Sequence, residues 1–148
     1  MRQIQSKAYG VLNLNENQIY EFEAGILGVS DIFHYALFPM EGTPFFVLHA
    51  LDEEVSFILL PVQEAVLDYS FQIPDEVTEL LALNSPEDVG VMVIINIQQE
   101  ELFVNLMAPV LLSPYSLRGC QYIIKDQELP VRYPLKAEGG RRNVGAET

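Results

Sequence analysis

The stretch at residues 89–112, VGVMVIINIQQEELFVNLMAPVLL, constrains the fold more than any other part of the chain. Val91, Val93, Ile95 and Ile97 alternate with Met92 and Ile94 in its first half. Leu102, Val104, Leu106 and Ala108 alternate with Phe103 and Met107 in its second. A period of two with apolar residues on both faces predicts strands covered on both sides. The polar break Gln98-Gln99-Glu100-Glu101 has the length of a hairpin loop, so the stretch reads as a central antiparallel hairpin. Two residues interrupt it. Asn105 lies among apolar neighbours, and its amide needs partners inside the protein. Pro109 has no N–H for a ladder, so the second strand ends, bends or runs at an edge there.

The rest of the chain reads as short strands at residues 8–14, 18–22, 35–38, 68–73 and 118–124, with a continuation at 131–133. Residues 45–51 and 56–60 form a second hairpin over the acidic turn Asp52-Glu53-Glu54. The segment 62–67 fits either regular structure. Residues 74–83 are the clearest helix: Pro74 suits its first turn, and Asp75 and Glu76 suit the positive end of its dipole. Asn84 is placed to close it. Ser30 is placed to cap one helical turn at 31–34. Gly25 and Gly28, set among apolar residues in FEAGILG, predict a tight, partly buried loop with positive φ. The expected fold is mainly β: one small antiparallel β-barrel-like domain with one or two short helices, over residues 1–136. The Gly-rich polar segment 137–148 reads as a mobile tail.

Charge narrows the function. The net charge is −13, and no Lys or Arg occurs between Lys7 and Arg118. That span holds 17 of the 21 acidic residues; the other four are Asp126, Glu128, Glu138 and Glu147. Such a body does not neutralise phosphates, which argues against direct nucleic-acid binding, and it repels anionic lipid. It favours a basic protein partner. The bland alternative is that acidity keeps an apolar protein soluble. No signal peptide is expected from the polar start, and the longest apolar run, at 89–95, is too short to span a bilayer. Cytoplasm is the expected location.

Chemistry is thinly represented. The single cysteine, Cys120, allows no internal disulfide and no cysteine-built metal site. His34 and His49 are the two histidines, and neither has a metal-ligand spacing. A cofactor, a metal site and catalytic residues are therefore not expected. A rival of another class is a small β-domain hydrolase or carbohydrate-binding module using acidic residues in a cleft.

Several short motifs occur in a fixed order: Phe22-x-x-Gly25-Ile26-x-Gly28, then Asn105-Leu106-x-Ala108-Pro109, then Gln121 and Val131-Arg132-Tyr133-Pro134-Leu135. Phe57 and Pro61 lie between the first two. The ordered set resembles the flagellar assembly factor family FliW across residues 6–135. Val29 and Leu129 depart from the aromatic residues usual in the family, which bears on local packing. The resemblance implies a cytoplasmic, non-enzymatic protein with a small β-barrel-like fold. It implies two protein partners bound in turn: flagellin, near its C-terminal segment, and the RNA-binding translational regulator CsrA. Sequestering CsrA relieves repression of flagellin mRNA; accumulating flagellin takes the factor away and restores it.

The candidates for contacting CsrA are the acidic turn Asp52, Glu53 and Glu54, the helix start Asp75 and Glu76, and the pair Glu100 and Glu101. Each also fits an ordinary role as a solvated turn or a helix-dipole partner. Gly25, Gly28, Asn105 and Pro109 read as structural motif residues. An amphipathic helix of flagellin needs an apolar groove, for which Phe33, Tyr35, Phe38, Phe45 and Phe46 are aromatic candidates if they are not core.

Overall fold

A computed structural model describes residues 2–135, so the tail read at 137–148 lies outside the described residues. In chain order the strands are β1 (Arg2–Ser6), β2 (Gly10–Leu14), β3 (Ile19–Glu21), β4 (His34–Pro39), β5 (Phe46–Ala50) and β6 (Ser56–Pro61). Two short helices follow, α1 (Val62–Ala65) and α2 (Asp75–Leu80). Then come β7 (Gly90–Gln98), β8 (Glu101–Val104), β9 (Val110–Ser113), β10 (Arg118–Gln121) and β11 (Tyr133–Leu135).

The expected central hairpin is present as β7–β8, and β7 is the strand on which the sheet divides. One of its edges pairs over Met92–Ile94 with β6. Its other edge takes two partners: Ile95–Gln98 pairs with β8, and Gly90–Met92 pairs with β9. Val104 lies opposite Ile95 and Val110 opposite Met92. The returning chain therefore uses five residues, Asn105 to Pro109, where β7 uses two, Val93 and Ile94. The three extra residues are a large bulge, which sends β8 and β9 into different parts of the molecule.

Strands β3, β4, β5, β6, β7, β9 and β10 form a closed seven-stranded barrel, antiparallel except where β10 meets β3 in parallel at Arg118↔Glu21. The far end of β7, with β8 and β11, continues as an arm. β1 and β2 form a separate hairpin packed on β4 through Ile4, Leu14, Ala36 and Phe38.

This division explains why several strands are apolar on both faces. Leu59 points into the barrel with Phe22, Tyr35, Leu48 and Val110. Its neighbour Leu60 points outward, beneath α1 and the arm, with Val93, Val104 and Leu106. A third cluster, Val77, Leu81, Leu111 and Cys120, lies under α2. Each such side chain contributes about 1.5–3 kcal/mol when fully buried.

The break at Asn105–Pro109 is held by the segment after β10. The N–H groups of Tyr122 and Ile124 donate to the carbonyls of Pro109 and Met107, at 3.0 and 2.9 Å. Leu106 N–H donates to Pro130 O at 2.9 Å. Asn105 Oδ1 accepts the Met107 N–H at 2.9 Å, and the Tyr69 hydroxyl donates to Leu106 O at 2.6 Å. Residues 122–124 thus serve the break and do not extend β10, where a longer strand was expected.

Four other expectations need correction. Residues 68–73 form no strand; their alternation comes from packing on the barrel wall, where Tyr69 and Phe71 meet edge-on and Phe71 stacks on Tyr122. The helix expected at 74–83 ends at Leu80: Ala82 takes φ 55°, and Leu83 N–H reaches back to Thr78 O at 2.9 Å. That closure uses Ala82 where Asn84 was expected. Residues 31–34 make no helical turn, because His34 already pairs with Glu21. β1 was not anticipated, since Ile4 is its one large apolar residue.

Gly25 and Gly28 take positive φ, 71° and 92°, as expected. Their surroundings differ. A Cβ on Gly25 would fall 2.5 Å from the Ser30 carbonyl oxygen, whereas a Cβ on Gly28 meets nothing within 4 Å. Gly28→Ala is therefore expected to cost about 1 kcal/mol, the left-handed strain alone. Gly25→Ala adds a backbone clash and should cost at least about 3 kcal/mol. Urea denaturation of both variants against the unsubstituted protein checks the order.

Candidate functional site

Strand direction decides which of the candidate residues meet. β6 begins where the antiparallel β7 ends. The turn with Asp52, Glu53 and Glu54 and the turn with Glu100 and Glu101 therefore lie at one end of the barrel. The loop with Gly25 and Gly28, which follows β3, and the break from Asn105 to Pro109 lie at that end too. Asp75 and Glu76 open α2, in the connection that leaves β6 at the opposite end. Two of the three acidic candidates thus lie toward the same end and the third toward the other.

A groove of about 500 Å³ opens at the end that the two share, bounded by Tyr9, Leu27, Phe57, Ile97, Asn105 and Gln121 among others. Leu27 is 71% exposed and Ile97 62% exposed, and both border this one groove. Gln121 ties the groove together: its Oε1 accepts the Leu27 N–H at 3.0 Å and its Nε2 donates to Ala108 O at 3.3 Å. The glycine loop, the Asn105–Pro109 motif and Gln121, widely separated in sequence, converge on one surface. Leu27, Ile97 and Tyr9 were not singled out from the sequence. Leu27 had a signal, an aliphatic residue in a glycine loop; Ile97 had none, since its period puts it on the same face as the buried Val93 and Ile95.

The aromatic candidates divide. Tyr35 is fully buried and meets Phe22 edge-on at 5.3 Å. Phe46, Phe38 and Phe45 are half-buried against three different clusters. Phe33 is exposed. They do not line one groove. A second groove, of about 620 Å³, lies at the α2 end against Tyr69, Phe71 and Val89.

Glu54 has a structural task. It accepts the Lys7 N–H at 3.1 Å and the Ser6 hydroxyl at 3.2 Å, and lies 3.4 Å from His49 Nε2. His49 is buried, with Nδ1 2.7 Å from Ala50 O and Nε2 3.0 Å from Ser6 Oγ. A carbonyl only accepts, so Nδ1 carries a proton. Ser, His and a carboxylate here do not form a nucleophile triad. In a triad the carboxylate orients the ring nitrogen remote from the serine; here that nitrogen serves the backbone. Ser6 Oγ, moreover, already accepts the N–H groups of Ala8 and Tyr9. The cluster clamps the β1–β2 hairpin to the β5–β6 turn. Cys120 is also removed from chemistry, because burial pushes its thiol up to about 11.

Asp52, Glu53, Glu100 and Glu101 face solvent. Arg118 donates to Leu80 O, and Arg132 lies 4.5 Å over the Phe103 ring and donates to Gln98. Arg118 is thus engaged at α2, while Arg132 sits beside the Glu100–Glu101 turn, on the residue opposite Glu101. Among the described residues, no three His, Cys, Asp or Glu side chains are placed to hold a metal ion, and no helix is long and apolar enough to cross a membrane.

The fold and this surface define a class: a small closed β-barrel with a divided strand, offering a shallow apolar groove beside carboxylate tips. Comparison with known proteins agrees. The family model described as FliW protein matches residues 3–135. The chain is 31% identical over 135 residues to the flagellar assembly factor FliW of Caldicellulosiruptor bescii, covering 89% of each chain. It is 28% identical over 139 residues to the protein of that name from Bacillus subtilis, covering 91% of this chain and 97% of the other. A crystal structure of the flagellar assembly factor FliW superposes with a TM-score of 0.84 at 25% identity, over 93% of this chain and 99% of that one. The chain belongs to the FliW family.

The clamp has a pH signature. The Lys7 N–H first, and the Ser6 hydroxyl and His49 with it, hold the Glu54 carboxyl below its ordinary value. A depressed folded-state pKa stabilises the fold above the unfolded value and loses that contribution as pH falls through the folded one. Thermal stability is expected to fall on acidification below about pH 4.5, and to fall less steeply in Glu54→Ala, measured as Tm against pH for both proteins.

Proposed function

We propose that this protein is a flagellar assembly factor that binds flagellin and, in alternation, the translational regulator CsrA. Holding CsrA relieves repression of flagellin translation; flagellin accumulating in the cytoplasm displaces CsrA and restores it. The observation that carries this reading is the FliW match across residues 3–135, which is the whole described fold. Charge supports it: a regulator that binds RNA presents a basic surface, and the carboxylates at one end of this barrel are the complement. The groove beside them is of a kind that holds protein side chains. The concavities give the hydrolase or carbohydrate-binding alternative little support. The grooves of about 620 and 500 Å³ have no carboxylate in their walls, and those that do, beside Asp52, Glu53 and Glu54 and beside Glu21 and Glu23, measure about 240 and 120 Å³.

Titrating the purified protein with CsrA, with and without flagellin, tests the reading. The apparent Kd for CsrA is expected to rise in proportion to added flagellin. An unchanged Kd with both proteins bound would overturn the alternation, binding of flagellin without CsrA would leave a flagellin chaperone without the translational role, and binding of neither would sink the reading. The CsrA association rate should also fall by about ten-fold or more from low to high salt, because exposed charges are screened beyond the Debye length.

A further inference from the structure

We propose that the groove between β6 and the root of the arm accepts an extended, basic segment of a protein partner as an added strand alongside β7. This rests on the proposed function for the existence of a protein partner, and adds where and how it docks.

β7 is nine residues long, yet its ladder with β6 covers only Met92–Ile94. Beyond it, Ile95–Gln98 pairs on the opposite edge with β8, while Ser56–Ile58 pairs on the opposite edge of β6 with β5. Two strands thus diverge, and the groove of about 500 Å³ lies between them. The direction of the backbone groups follows from the β7–β8 turn. Gln99 and Glu100, at φ 53° and 67°, make a two-residue turn closed by Gln98↔Glu101. In such a hairpin the closing pair is hydrogen-bonded, and bonded and non-bonded pairs alternate from there. Asn96↔Phe103 is therefore a bonded pair and Ile97↔Leu102 is not. The N–H and C=O of Ile97 point into the groove.

Exposed edges invite another strand, and proteins usually blunt them with proline or charge. The outer edge of the arm is blunted in this way, since β11 has Pro134 at its centre and Arg132 just before it. The edge at Ile95-Asn96-Ile97-Gln98 has neither. Leu27 and Ile97, largely exposed, supply apolar contacts for alternate side chains of an added strand, and the amides of Asn105 and Gln121 supply polar ones. No Lys or Arg is among the groove's bounding residues. Asp52, Glu53, Glu100 and Glu101 lie exposed in the turns at the ends of the two strands that border it, against Lys7 and Arg132, the latter turned onto Phe103. A segment with Lys or Arg at its end and apolar residues at alternate positions is complementary.

The test uses the full chain and CsrA as the basic probe, with calorimetry and amide hydrogen exchange. Ile97→Pro removes a groove-facing N–H and no β7–β8 bond; Ile97→Lys and Leu27→Lys alter exposed side chains. Each is expected to weaken binding about ten-fold or more, with Tm unchanged for the latter two. In the wild-type complex the Ile97 amide should exchange more slowly than in the free protein. Should Ile97→Pro not fold, Ile97→Lys and the exchange measurement decide. Wild-type binding by folded Ile97→Lys and Leu27→Lys, or an Ile97 amide unchanged in the complex, overturns strand addition while leaving the proposed function standing. If wild type binds neither CsrA nor flagellin, it is the proposed function that falls.

Discussion

The architecture depends on a mismatch of length along one edge of β7. The returning chain has five residues where β7 has two, and the surplus must leave the sheet. Pro109 makes the departure possible, because it asks nothing of the ladder. Five consecutive residues outside a ladder would strand their backbone polar groups, at about 1–3 kcal/mol for each one left buried and unpaired. Tyr69, Tyr122, Ile124 and Pro130 answer several of them, so the segments around 69 and 122–130 are fastened to the bulge. One strand can then belong to a barrel at one end and to an arm at the other.

The divergence of β6 from the arm follows from that mismatch, and the groove follows from the divergence. The motif residues Gly25, Asn105 and Gln121 sit around it in supporting positions: they shape a loop, satisfy a bulge and tie the two together. The side chains left outermost, Leu27 and Ile97, carry no motif. Electrostatics divides similarly. Glu54 belongs to the fold through Ser6, Lys7 and His49, while its neighbours Asp52 and Glu53 remain at the surface. Adjacent carboxylates in one turn thus have different roles, decided by which of them reaches the β1–β2 hairpin.

Period-two patterning made the hairpins β5–β6 and β7–β8 legible, because those strands carry apolar side chains that are at least partly buried on both faces. The same pattern misled at residues 68–73, where alternation serves packing on a wall without a ladder. It was silent for β1, whose partner supplies most of its apolar contact. Pro109 announced a break, but not that the chain would resume on the same edge three residues out of register; that is set by contacts distant in sequence. The acidic turns were legible as charge, while their gathering at one end depended on strand direction. The groove was not legible, since Ile97 is exposed only because β6 has already turned away.

The barrel is completed at its narrowest ladder, the parallel contact of β10 with β3 at Arg118↔Glu21. There Gly119 is required by proximity: a Cβ would fall 2.5 Å from the Phe22 ring. Because Glu21 and Arg118 are made early and late, a chain emerging from the ribosome holds an open sheet, with Phe22 and Tyr35 uncovered on it, until translation has passed Gly119. Closure of the interior is then among the last events of synthesis, and a chain released before that point lacks the strand that joins β9 to β3.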